Sequence, residues 1–123
     1  MIEVVRVSEI DRDMLVRLKR STGLKNWNVL CRWAFTISLA DTNPTSIDPI
    51  GENSNIEMTW KVFGGVHADI YLALLRQRVG EDYGRLTDDL LERELARHIH
   101  RGIGKLLNIS QKPTLVEVTA LAK

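Results

Sequence analysis

Residues 7–39, VSEIDRDMLVRLKRSTGLKNWNVLCRWAFTISL, constrain the fold more than any other stretch. They read as the end of a short strand, a basic helix, a Gly-Leu turn and a second, mostly apolar helix. Ser8, Glu9 and Asp11 are residue types that cap a helix or suit the positive end of its dipole. Met14, Leu15 and Leu18 then fall at helical spacing, with Arg12, Arg17, Lys19 and Arg20 largely around the other side. Gly23 can take the left-handed conformation that closes a helix, and Leu24 can fold back on it. Asn26 or Asn28 can cap the next helix, where Val29, Leu30, Trp33, Ala34 and Ile37 repeat at three and four. A strand feeding two helices is a ribbon-helix-helix pattern, and two copies could pair their strands.

The strand itself covers residues 1–8. Val5 and Val7 alternate against Ile2, Val4 and Arg6. A strand lying in a DNA groove needs several hydrogen-bonding side chains on its outer face, and only Arg6 qualifies. The strand is therefore expected to serve a core or a subunit interface. In the second helix Trp33 and Phe35 point to different sides, and burying such side chains is worth roughly 1.5–3 kcal/mol each. A helix so apolar around its circumference favours oligomerisation.

Beyond it, residues 40–55, ADTNPTSIDPIGENSN, read as an exposed, acidic, flexible loop. Residues 57–63, EMTWKVF, are a candidate strand ended by Gly64 and Gly65. Residues 66–79 form a strong helix expected in the core, with Ile70, Ala73 and Leu74 as one stripe and Tyr71 and Leu75 beside it. A turn over residues 80–85 leads to a final helix capped by Thr87, with Leu91, Leu95, Ile99, Ile103 and Leu106 inward. Gly102 and Gly104 each cost that helix roughly 0.8–1 kcal/mol against alanine, so close packing or a kink should compensate. Residues 109–123 form a variable tail. The expectation is a single domain over residues 1–123, mainly α, with an N-terminal strand-helix-helix unit, in a homo-oligomer.

A hydrophobic fraction of 44% argues against disorder. No apolar run approaches a membrane span of roughly 20 residues and none reads as a signal peptide, so a cytoplasmic location is expected. Cys31 is the only cysteine, which excludes an internal disulfide; inside an apolar helix it reads as an inert thiol. His98 and His100 stand about 200° apart on a helix and cannot share an ion. No P-loop, dinucleotide turn or nucleophile elbow is present. These readings predict no metal, no cofactor, no catalytic residues and no enzyme.

Charge is more informative. The net +1 is uneven: residues 1–40 carry 7 basic and 4 acidic side chains, residues 41–75 carry 1 and 5, and residues 76–123 carry 9 and 7. Arg17, Lys19 and Arg20 lead into Lys25, ahead of a helix N-terminus whose free N–H groups suit a phosphate. Arg97, Arg101 and Lys105 recur at four-residue spacing as a second basic stripe. Contacts of this kind hold a nucleic-acid backbone without reading bases. Arg17, Lys19, Arg20, Lys25, Arg101 and Lys105 are the DNA-binding candidates.

The segments TGLKNWNVLCRWAFTISL, GGVHADIYLALLRQRVGED and RHIHRGIGKLLN, in that order, resemble the DndE family of bacterial DNA sulfur-modification proteins. The likeness runs from about Val7 to Leu107. It implies a small helical protein that forms a homotetramer and binds duplex DNA, notably at nicks. It also implies partnership with the other proteins of the phosphorothioation system, and no catalytic centre in this member. The resemblance carries no motif for individual DNA contacts; related chains present lysine where this one largely presents arginine. The alternatives are a sequence-specific ribbon-helix-helix repressor, an assembly adaptor without DNA binding, and, last, a nuclease.

Overall fold

Ser8 turns the opening strand into the first helix. A computed structural model describes residues 2–110. In it β1 (Val4–Ser8) runs directly into α1 (Glu9–Thr22), and the Ser8 hydroxyl accepts the Asp11 N–H at 3.1 Å. Glu9 and Asp11 at one end, and Lys19 and Arg20 at the other, complement the helix dipole. Gly23, at φ 74°, closes α1 by donating its N–H to the Lys19 carbonyl at 3.0 Å. After a short turn comes α2 (Trp27–Ala40). Asn26 stands at its N-cap but makes no side-chain cap bond, and Asn28 instead donates to the Val62 carbonyl. The expected asparagine cap is therefore not made.

Residues 41–52 connect α2 to β2 (Asn53–Thr59), so the expected loop gives its last residues to a strand. Within the connection Thr45 is buried and donates to both Glu94 carboxylate oxygens, at 2.9 and 3.0 Å. Strand β2 pairs antiparallel with β1, Val5 opposite Met58 and Arg6 opposite Glu57, with an irregularity between Arg6 and Ser8. This pairing lies within one chain. The partner that the sequence pattern assigned to a second copy is thus supplied locally, and the likeness to a ribbon-helix-helix stops at the order of its elements.

The candidate strand at 57–63 is strand only as far as Thr59. There the Thr59 hydroxyl accepts the Val62 N–H at 3.1 Å and starts a short helix, α3 (Trp60–Gly64). Its aromatic residues favour strand locally, but the three-residue spacing of Trp60 and Phe63 lets one turn of helix bury both. A single 3₁₀ turn, Gly65–His67, then leads to α4 (Ala68–Tyr83), which runs through most of the expected turn. The last helix, α5 (Asp88–Ser110), starts where the Thr87 hydroxyl accepts the Leu90 N–H at 3.1 Å, as its sequence predicts.

The core forms where α5 crosses α2. Leu91, Leu95, Ile99 and Ile103 are buried as expected; Leu107 is buried, and Leu106 only partly. From α2 come Leu30, Cys31, Ala34 and Phe35, and from α1 Leu15 and Leu18. Helix α4 is not a core helix within this chain. It buries Leu75, Arg78 and Val79, whereas Ile70 is 56% exposed and Leu74 41%. The expected stripe is the outward one.

Gly102 explains its own presence. A Cβ there would lie 1.7 Å from the Ala34 carbonyl oxygen and 2.2 Å from its carbon. Both are backbone atoms of α2, so no side chain can move aside. Gly104 has nothing within 4 Å of that position among the described residues, which leave its cost to the helix uncompensated. A second tie joins α5 to α1: His100 Nδ1 lies 2.7 Å from Asp11 Oδ1, and Asp11 is buried. That hydrogen bond, opposed by burial, raises the imidazole pKa above its ordinary 6.5.

Two outcomes follow. Gly102→Ala destabilises by at least about 1–3 kcal/mol in urea unfolding, whereas Gly104→Ala stabilises by up to roughly 1 kcal/mol. For His100, a raised folded pKa gives stability that is complete below the unfolded value and is lost as pH rises through the folded one. The stability lost in His100→Gln is therefore larger at about pH 5.5 than at about pH 8.5, measured by urea midpoints at each pH.

Candidate nucleic-acid interface

The six basic candidates fall into two groups at opposite ends of α2, about 20 Å apart for a helix of this length. The first group lies on α1 and in the turn that leads into the N-terminus of α2. Arg17 and Arg20 on α1, and Lys25 in the turn, are exposed and have no ion-pair partner among the described residues. Lys19 lies 3.5 Å from the centre of the Trp27 ring, in a cation–π contact that fixes the ammonium beside the first residue of α2. Lys19, Lys25 and Trp27 line a cleft of about 330 Å³ together with Met58, Val62 and the acidic Glu57, whose carboxylate lies 3.4 Å from Arg6 Nε.

Three features of this end act together. The first turn of α2 holds no acidic residue, and its N-cap, Asn26, makes no side-chain cap bond among the described residues. The free N–H groups of that turn carry the positive end of the helix dipole, and Lys19 and Lys25 line the cleft beside them. An oxyanion there gains hydrogen bonds and charge attraction, while Trp27 offers a flat apolar wall. The chemistry is that of a phosphate site without base readout. The bases and the uncapped helix end are visible in the sequence. The Lys19–Trp27 contact is not, because it depends on the angle between α1 and α2.

The second group is spent on the protein itself. Arg101 donates Nε to the Ser38 hydroxyl at 2.8 Å, Nη2 to the Ser38 carbonyl at 2.8 Å, and Nη1 to the Asn43 carbonyl at 2.8 Å. Arg78 reaches the same turn from α4, donating to the carbonyls of Leu39, Asp41 and Asn43 at 3.0, 2.6 and 2.8 Å. Two guanidiniums thus satisfy the carbonyls that α2 leaves open at its C-terminus. Lys105 sits 3.0 Å from Asp41 Oδ2. The Asn43 amide, with Lys105, holds the Asp41 carboxyl down at about 2. Arg97, the third member of the predicted stripe, bonds Glu94 at 3.1 Å. Sequence spacing made this a solvent-facing ladder; in the fold it is a clasp. The signal missed was the run of polar residues after Leu39, whose open carbonyls need donors.

Two other side chains bear on the chemistry. Cys31 is fully buried; burial first, and nearby Asp11 second, push its thiol up to about 12, so it cannot act as a thiolate. His98 and His100 diverge as their spacing requires, one to Ser38 and the other to Asp11. Burial, followed by the charge of Arg101, lowers the His98 pKa to about 4. Among the described residues no helix is long and apolar enough to cross a membrane.

The fold has solved counterparts. A crystal structure of DndE from Escherichia coli B7A, involved in DNA phosphorothioation modification, superposes with a TM-score of 0.73 at 23% identity, covering 86% of this chain and 98% of that one. A DndE mutant with two glycines changed to lysine, involved in DNA phosphorothioation, superposes with a TM-score of 0.68 at 21% identity, covering 88% and 99%. No curated protein matches the sequence. At these identities the structures speak for the fold alone. The family model for DNA sulphur modification protein DndE, however, matches residues 4–113, nearly the whole chain. With the fold and that match together, this chain belongs to the DndE family of DNA sulphur modification proteins.

Proposed function

We propose that this protein is a non-enzymatic DNA-binding subunit of a cytoplasmic DNA phosphorothioation system. It holds the duplex by its backbone, with a preference for nicks, and works as a homotetramer beside the system's other proteins. The observation that carries this reading is the set of exposed cations leading into α2, Arg17, Arg20 and Lys25, which have no ion-pair partner among the described residues, with Lys19 held on Trp27 at the helix start. Arg101 and Lys105 contribute less, because both are already engaged by the turn that follows α2. A ribbon-helix-helix repressor fits poorly: β1 already pairs with β2, and Arg6 on its outer face lies 3.4 Å from Glu57.

Backbone binding has a clear signature. Affinity for intact and sequence-scrambled duplexes of equal length is expected to be the same and to fall linearly with salt on logarithmic axes, with a slope of about −0.9 per phosphate neutralised. Affinity for the nicked duplex is expected to be higher. Joint reversal of Arg20 and Lys25 to glutamate lowers affinity by at least about tenfold and flattens that slope by roughly 2. Strong preference for one sequence would make the protein a repressor instead. No binding to any duplex at low salt would make it an adaptor.

Assembly is supported by the apolar surface. Trp33 is 50% exposed and Val66, in the turn before α4, 94%, and Ile70 and Leu74 stand one turn apart on the outward side of α4. Covering each such side chain is worth roughly 1.5–3 kcal/mol. Trp33→Asp is expected to dissociate the oligomer, and an unchanged mass in light scattering would contradict the proposal.

A further inference from the structure

The basic surface accounts for the cations outside, but not for a buried polar cluster between α4 and α5. Glu94 and His98 lie one turn apart on α5 and are both fully buried; Asp82 meets them from the end of α4. One ligand-type atom from each of the three falls within 4.8 Å of the others. We propose that Asp82, Glu94 and His98 bind a divalent transition-metal ion of the zinc or manganese class, with His98 Nε2 as its nitrogen ligand.

The histidine carries the argument. Its Nδ1 lies 2.8 Å from the Ser38 hydroxyl, while its Nε2 is the single buried side-chain nitrogen or oxygen with no hydrogen-bond partner among the described residues. Buried polar atoms are ordinarily satisfied, so an orphan nitrogen on a ring that clusters with two carboxylates needs a partner. An ion provides it. Ligating histidines usually donate their second N–H to an oxygen, and Ser38, itself braced by Arg101, stands in that place.

The carboxylates retain room for an ion. Asp82 gives Oδ2 to Arg78 at 2.9 Å, and Glu94 takes Arg97 on Oε2 and Thr45 on both oxygens. Each carboxylate offers about four lone-pair sites, so neither is filled. Their two negative charges are already shared with Arg78 and Arg97, so direct bonds to imidazole and carboxylate, not charge balance, must hold the ion. The flanking Arg78, Arg97 and Arg101 oppose any cation, which disfavours a hydrated magnesium ion relative to one that bonds imidazole directly. A tetrahedral ion with bonds of about 2.1 Å spaces its ligands about 3.4 Å apart, so the three atoms close in by side-chain rotation. A fourth position remains for water.

The test uses the full-length chain, stripped of metal and titrated with Zn²⁺ alone by calorimetry, with bound metal counted after gel filtration. One equivalent per chain is expected, together with a higher thermal midpoint and Mg²⁺ binding far weaker than Zn²⁺. His98→Gln should weaken binding by about a hundredfold or more, and Asp82→Asn by at least about tenfold. Asp82→Asn lies at a half-buried position, keeps an oxygen for Arg78 and should fold, so it decides the matter if His98→Gln does not. No stoichiometric uptake overturns the site. So does uptake that Asp82→Asn leaves unchanged, or Mg²⁺ binding as tight as Zn²⁺.

Discussion

The rest of the structure depends on how closely α5 approaches α2. At Gly102 the helix backbones touch, with the Ala34 carbonyl occupying the space a side chain would need. That approach draws Leu95, Ile99 and Ile103 onto Leu30, Ala34 and Phe35, and so determines the core. It also sets the positions of His98 and Arg101 over Ser38, and of His100 over Asp11. A wider gap at this one position would loosen the hydrophobic contact and every polar link built on it. Close packing makes such contacts all-or-none rather than gradual.

From that crossing the basic residues divide by role. Arg78 and Arg101 are drawn inward because α2 ends in open carbonyls that lie away from water, and an unmet buried acceptor costs about 1–3 kcal/mol. The guanidinium, with five donors in a rigid fork, can meet several carbonyls at once; lysine cannot. At the other end of α2 the open groups are N–H donors, which repel cations from direct contact and favour an anion from outside. Arg17, Arg20 and Lys25 therefore remain on the surface. One helix thus has its two ends treated differently: arginines meet its C-terminal carbonyls, while Asn26 at its N-cap makes no side-chain cap bond.

Much of the fold was legible in the chain. Ser8, Gly23 and Thr87 mark helix ends through local geometry, and each acts where its neighbours predict. The α5 stripe was legible because a single strong period governs it. Residues 57–63 were misread because β-branched and aromatic residues favour strand until a hydroxyl offers a cap, and Thr59 does. Helix α4 reads as a core helix because it is apolar on most sides, yet Ile70 and Leu74 are exposed, since its period does not choose between faces. Among the site residues, Arg17, Arg20 and Lys25 stand on the surface as read, while Arg101 and Lys105 were read as free and are engaged.

By itself, the sequence determined the order and type of most elements, the ends of the helices and the surplus of positive charge near residues 17–25. These follow from interactions between residues a few positions apart, which chemistry and spacing specify. Only the tertiary structure decided which glycine meets a backbone and which arginines turn inward. It likewise decided that β1 finds its partner within the chain, and that Asp82 meets Glu94 and His98. Those outcomes depend on the angle and separation at which helices cross, a property of the whole packed core that no local run of residues encodes.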